Sequence, residues 1–275
     1  MVAPRLPGLP TPVQVQQAIR GAFEALGRDL NRLLTIRAAV TPAANPAKGW
    51  NPQPGDIIVG NIANKKYWEN QGDSNTCVLM STAMVIGQLT GKMPSKREIV
   101  AEAANTPSAI GRTGIEVKTQ RTRNGMIYQT EIDEFVYYAD SLQILYNHKI
   151  AAKATYYTND QADRAMNDLV TALGNGESVI VTINSDVRES VIADRGAFTG
   201  GTVTADHAVT VIAVNVTQKK VYINDTALDP GQGNPLELSY EGFTKIWQPS
   251  QYTLITAHVA APGELSAPAQ LQPAA

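Results

Sequence analysis

One cysteine, set where a polar turn runs into an apolar helix, constrains this chain more than any other feature. The stretch is Gln71-Gly-Asp-Ser-Asn-Thr-Cys77, continuing through Val78-Leu79-Met80 to Gly91. Asp73, Ser74, Asn75 and Thr76 are residue types that cap helix N-termini. Cys77 is therefore expected in the first helical turn, where unpaired N–H groups and the macrodipole favour negative charge. Such a setting draws a thiol towards its reactive thiolate. Gln71 lies six positions upstream (77 − 71 = 6), and its amide is a candidate donor to an oxyanion. A lone cysteine in an apolar helix is ordinarily a small buried hydrophobe. The helix-start position and the upstream glutamine turn the reading towards chemistry.

The rest of the chain must then supply a base. Three histidines are available, His148, His207 and His258. His148 lies in a polar Tyr-Asn-His-Lys turn, and His258 sits beside an Ala/Pro/Gln-rich tail. His207 follows a loop containing Gly196, Gly200 and Gly201 and opens the apolar run to Val216, where a scaffold presents a side chain at a cleft. A cysteine at a helix start with a histidine at a strand start is the pattern of a thiolate–imidazolium pair. A third group is needed to orient the imidazole. The candidates are Asp225, Asn224 and Asp229. A hairpin centred on Gln218 would set residue 229 opposite His207 (2 × 218 − 207 = 229), whereas a wider loop or a bulge would bring Asp225 into register.

The remaining elements follow from periodicity and punctuation. Apolar residues at Ile19, Phe23, Leu26, Leu30, Leu33 and Leu34 predict an amphipathic helix over 13–39, packing on the main domain or on a protein partner. A Pro/Gly-rich linker to residue 55 follows. The main domain is expected over 56–258, beginning with a strand at Ile57-Ile58-Val59. Ser95 and Glu98 form a capping box for a second helix. Residues 105–125 have no clear period, and Lys118, Arg121 and Arg123 within them read as a solvated turn. Helices are expected over 131–146 and 160–173, the latter stopped by Gly174-Asn175-Gly176. Strands are expected over 151–157, 179–183, 207–216, 221–225, 236–240 and 252–257, with a long polar loop over 184–206. Residues 259–275 read as a disordered tail.

Composition excludes several classes. At 275 residues, 43% apolar and 17% charged, the chain can bury a sizeable core. A net charge of −2 and a pI near 6.0 give no reason to expect nucleic acid as a partner. No apolar run approaches the roughly 20 residues of a transmembrane helix. There is neither a His-Glu-x-x-His motif nor a cysteine cluster, so no metal or other cofactor is expected. The low charge and the Ala/Pro/Gln-rich ends suit an exported or cell-envelope protein.

Gln71 and Cys77 at a spacing of six, the apolar helix after the cysteine, His207 opening a strand, and Tyr222-Ile-Asn-Asp225 together resemble papain-like cysteine peptidases. The resemblance is closer to the bacteriocin-processing, double-glycine-leader branch, through 73–85, 93–100, 173–180 and Asp206-His-Ala-Val-Thr-Val, and it covers about residues 56 to 257. It implies an α+β fold, helices packed on an antiparallel sheet with a Cys/His cleft, and a peptide or protein substrate. It also implies Gln71 as oxyanion donor, Cys77 as nucleophile, His207 as base and acid, and Asp225 as the orienting acid. Two flanks depart from the family pattern: Cys77-Val78-Leu79 stands where Cys-Gly-Pro is common, and Asn224-Asp225-Thr226 where Asn-Asp-Pro is. Those changes motivate a rival expectation, a catalytically silent peptide-binding or secretion-associated module. A cell-wall amidase fits poorly with the Cys-to-His separation (207 − 77 = 130).

Overall fold

A computed structural model describes residues 50–72, 74–109, 118–123, 126–132, 136–193, 204–232 and 234–265. The predicted helix over 13–39, its partner role and Asp73 lie outside the described residues. In chain order the elements are β1 (Ile58–Gly60), a 3-10 turn (Ile62–Tyr67), α1 (Cys77–Thr90), α2 (Lys96–Ala104), β2 (Lys118–Arg123), β3 (Met126–Ile132), α3 (Asp140–Asn147), β4 (Ile150–Thr155), α4 (Ala162–Gly174), β5 (Ser178–Ile183), α5 (Ser185–Ile192), β6 (His207–Asn215), β7 (Lys220–Asn224), β8 (Leu236–Ser239), α6 (Tyr240–Trp247) and β9 (Leu254–Val259).

Seven strands make one antiparallel sheet: six run in the order β4-β9-β5-β6-β7-β8, and β1 lies off this path beside β6. On β6, residues 207–211 pair with β5, and β1 pairs with the other end at Ala213–Asn215. β5 and β6 are buried at every position, so both of their faces are covered, because successive side chains point to opposite faces. One cover is α1, whose stretch from Cys77 to Gly87 is buried throughout. Ile180, Ala208, Ile255 and Ala257 of the sheet join its core cluster, with Ile99 of α2 and Ile144 and Leu145 of α3. The helices α4 and α6 also pack on β5 and supply the other cover. Trp247 of α6 is fully buried, stacks against Phe243 and Tyr252, and donates its indole N–H to the Thr253 carbonyl at 2.9 Å.

The α+β architecture is the one expected, and most elements fall where periodicity placed them. Ser95 and Glu98 do form the reciprocal capping box. Three stretches differ. Lys118–Arg123 is a strand paired with Met126–Ile132, not a turn, so the helix expected from residue 131 begins at Asp140. The expected loop over 184–206 begins as helix α5, because Asn184 caps it by accepting the Val187 N–H at 2.9 Å. At the C-terminal end the last strand runs to Val259, and the Glu264 carboxylate then accepts from the Ala261 N–H at 2.7 Å and pairs with His258 at 2.7 Å.

Candidate active site

Cys77 is the first residue of α1. Thr76 occupies the N-cap position, yet its hydroxyl bonds the Ser74 hydroxyl at 2.8 Å and makes no capping bond. The helix is held to the sheet by Ser81, one turn on, whose hydroxyl donates to the Ala208 carbonyl at 3.0 Å. Ala208 follows His207, so this bond sets the cysteine against the histidine. The thiol and the imidazole are hydrogen-bonded to one another, and both are buried, 6% and 7% exposed.

Of the three candidate orienting groups, the structure brings Asp225 to His207. Nε2 of His207 meets Oδ1 of Asp225 at 2.7 Å. The approach is diagonal, not directly across. The β6–β7 ladder pairs Asn215 with Lys220, then slips at a bulge to pair Val211 with Ile223 and Thr210 with Asn224. One further step sets Val209 opposite Asp225, and His207 lies two residues along on the same face, within reach of a diagonal cross-strand contact. Asn224 instead donates to the Asn64 carbonyl at 3.1 Å, and Asp229 is exposed.

Electrostatics follow from burial opposed by partners. Burial pushes the Cys77 thiol up. The hydrogen bond and charge of His207, with the N–H groups of Ala208 and Val78, outweigh it, and the thiol is held below its ordinary value. Burial alone would depress His207, but hydrogen bonds to Asp225 and Cys77 and their charges raise it to about 10. Asp225, 0% exposed, is pushed up by burial and drawn down further by His207 and Arg188. Each direction favours a charged pair.

Gln71 is buried and tied at both ends of its amide. Its Nε2 donates to the Ser74 carbonyl at 3.0 Å, and its Oε1 accepts from the Thr226 hydroxyl at 2.7 Å. Its backbone N–H also donates to the Thr226 carbonyl at 2.8 Å. A primary amide has two donor hydrogens, so Nε2 retains one beyond the Ser74 bond. The Trp68 indole donates to the Asp225 carbonyl at 2.7 Å, and the Asn70 amide to the Leu228 carbonyl at 2.8 Å. Residues 68–71 are thus zipped to 225–228, which joins the segment before the cysteine to the segment after β7. The departures from the family pattern take up specific places here. Val78 lines the cleft beside Cys77, Leu79 is buried in the core, and Thr226 supplies a hydroxyl that proline lacks.

The cleft has a volume of about 680 Å³ and is lined by Cys77, His207, Val78 and a tyrosine wall of Tyr137, Tyr138 and Tyr156. The three phenols are chained, Tyr137 to Tyr138 at 3.1 Å and Tyr138 to Tyr156 at 2.9 Å. Neither the wall nor Arg188 was expected from sequence. Arg188 Nη1 donates to Asp225 Oδ2 at 2.7 Å from the stretch read as a loop. The signal for it was the Asn184 cap directly after a β-branched strand. Among the described residues, no three His, Cys, Asp or Glu side chains are grouped to hold a metal ion.

A buried cysteine at a helix start, hydrogen-bonded to a histidine that is held by an aspartate, on helices packed against an antiparallel sheet, defines a cysteine-peptidase-like fold. The model of the Peptidase_C39 like family matches residues 63–255, and the chain belongs to that family. Uncharacterized proteins of Mycobacterium tuberculosis (strain ATCC 25618 / H37Rv) and Mycobacterium bovis are each 31% identical over 208 residues, covering 72% of this chain and 84% of their own length. Among solved structures, a putative C39-like peptidase from Bacillus anthracis aligns with a TM-score of 0.46 at 15% identity, over 74% of this chain and 98% of that one. A double glycine motif protease from an AMS/PCAT transporter, in complex with its leader peptide, aligns at 0.38 and 15% identity, over 69% and 86%. Xylellain, a cysteine protease from Xylella fastidiosa, aligns at 0.40 and 12% identity, over 80% and 91%. At such scores these likenesses carry no weight, and the family assignment rests on the sequence match. Among the described residues no helix is long and apolar enough to cross a membrane.

Proposed function

We propose that the protein is a cysteine peptidase acting through Cys77, His207 and Asp225, with Gln71 as oxyanion donor. The observation that carries this reading is the continuous hydrogen-bonded line from the Cys77 thiol through the His207 ring to Asp225. His207 takes the thiol proton, and the thiolate attacks the carbonyl carbon of a peptide lying along the tyrosine wall. The oxyanion is stabilised by the Cys77 backbone N–H and the free amide hydrogen of Gln71. The His207 imidazolium gives its proton to the leaving amine as the C–N bond breaks, leaving a thioester. His207 then deprotonates a water that attacks the thioester and releases the thiolate. Membership of the C39-like family and the depressed thiol support the assignment.

The rival reading, a binding module without turnover, is favoured by one observation: the Gln71 amide is already engaged with the Ser74 carbonyl. Iodoacetamide labelling of Cys77 as a function of pH separates the two. In the peptidase, labelling persists down to about pH 5 and is lost in His207→Ala. Labelling that rises only near pH 8.5, the ordinary thiol range, and equally in both proteins would leave the binding module in possession.

A further inference from the structure

The ion pair behind Asp225 has no part in the scheme above. Arg188 is 5% exposed, on the first turn of α5, and its guanidinium donates from Nη1 to Asp225 Oδ2 and from Nη2 to Glu189 Oε1, both at 2.7 Å. Its Nε is buried without a hydrogen-bond partner among the described residues. Burying a guanidinium with one donor unmatched is costly. A structural tie between α5 and β7 could be made more cheaply by apolar packing, so the placement calls for another reason.

The helix is registered to the entrance of the His207 strand. Asp206 accepts the Ser185 N–H on Oδ1 and the Ser185 hydroxyl on Oδ2, both at 2.7 Å. The residue before the imidazole therefore anchors the helix turn that carries Arg188. Among the described residues the charges around the pair are few. Asp225 faces His207 from β6 and Arg188 from α5, and Arg188 also faces Glu189. On α6, which packs on α5, Glu241 and Lys245 pair with each other at 2.8 Å.

Arginine has five donors and no acceptor. A protonated Asp225 would have to direct an O–H at one of two sites, Arg188 Nη1 or His207 Nε2. The first cannot accept it. With Oδ2 held by a permanent donor and Oδ1 also accepting the Ala227 N–H at 3.0 Å, the carboxylate accepts at both oxygens. Nε2 of His207 must then be the donor, and Nδ1 is the nitrogen left for the sulfur.

We propose that Arg188 is a positioning residue that acts through Asp225: by making both carboxylate oxygens acceptors, it keeps Nε2 of His207 a donor in the neutral ring and in the imidazolium alike, and leaves Nδ1 to take and hold the Cys77 proton. The proposal rests on the Cys77–His207–Asp225 reading above.

The test is iodoacetamide labelling of Cys77 from pH 4.5 to 9.5, with circular dichroism as the folding check, in wild type, His207→Ala, Asp225→Asn, Arg188→Met, Arg188→Lys and Asp225→Asn/Arg188→Met. Arg188→Met should lose tenfold or more of the labelling rate at pH 5, whereas Arg188→Lys, still an obligate donor, should keep most of it. The double variant carries the sign. In Asp225→Asn the arginine holds the amide oxygen and turns the amide NH₂ onto Nε2, enforcing the wrong tautomer. Removing Arg188 frees that amide to flip, so the double variant should label faster than Asp225→Asn alone, whereas a merely structural arginine would make it slower. Should Arg188→Met not fold, the comparison of the double variant with Asp225→Asn decides, since neither leaves a buried carboxylate unpaired. Wild-type labelling in Arg188→Met, or a double variant no faster than Asp225→Asn, overturns the proposal while the loss in His207→Ala still stands. Wild-type labelling in His207→Ala instead overturns the reading on which it rests.

Discussion

Gln71→Ala separates the chemistry of the proposed oxyanion site from its architecture. The side chain makes two bonds, to the Ser74 carbonyl at 3.0 Å and from the Thr226 hydroxyl at 2.7 Å, and Thr226 is fully buried. Stranding the buried Thr226 hydroxyl costs about 1–3 kcal/mol and losing the bond to the half-buried Ser74 carbonyl about 1 kcal/mol, so truncation should cost roughly 2–4 kcal/mol in all. For a domain of this size 1 kcal/mol moves Tm by about 2–4 °C, which predicts a fall of roughly 5–15 °C. The catalytic effect is distinct, because losing one oxyanion donor costs about 100-fold or more. Two reactions at the same sulfur tell them apart. Alkylation by iodoacetamide displaces iodide from a saturated carbon and forms no oxyanion. Acylation by a p-nitrophenyl ester passes through a tetrahedral oxyanion. Measured well below Tm, Gln71→Ala should leave alkylation within about threefold of wild type and slow acylation by about 100-fold or more. Thr226→Val, which removes only the buttressing hydroxyl, serves as the stability control and should keep the acylation-to-alkylation ratio within about tenfold. A Gln71→Ala protein whose two rates fall in parallel, or whose acylation stays near wild type, refutes the oxyanion role.

Two predictions concern stability. Asp225 is depressed in the folded state, so its contribution is present above the unfolded carboxylate value of about 3.9 and is lost as pH falls through the lower folded value. His207 is raised to about 10, so its contribution is full below about 6.5 and is lost as pH rises through about 10. Tm measured from pH 3 to 11 should show a neutral plateau with both limbs falling, and the gap between wild type and His207→Ala should narrow above pH 10. A constant gap refutes the linkage. At Gly60, with φ +87°, an added Cβ would lie 2.5 Å from the Ile212 carbonyl oxygen and 3.0 Å from the Ala213 Cα, both backbone. Gly60→Ala should therefore cost on the order of 2–4 kcal/mol and drop Tm by at least about 5 °C in a calorimetric scan, and a drop below 2 °C would mean that the bulge can shift.

Local chemistry made much of this protein legible in its sequence. Cys77 at a helix start follows from polar turn residues meeting an apolar run, and His207 at a strand start from a loop meeting a β-branched one. The β5, β6 and β9 strands, the Ser95 capping box and the stop after Gly174 are signals carried within a few neighbours. What could not be read depended on partners far along the chain. The choice among Asp225, Asn224 and Asp229 turned on a one-residue slip between Val211 and Ala213, and one residue of register reverses every side chain of a strand. The zipper of Trp68, Asn70 and Gln71 onto residues 225–228 spans more than 150 residues, as its Trp68–Asp225 separation of 157 shows, and no periodicity reports it. Arg188 was hidden because a short helix with a mixed face looks like polar loop. Only the fold brings its guanidinium to the buried side of Asp225, since the stabilisation of a charge depends on what surrounds it in space and not on what precedes it in the chain.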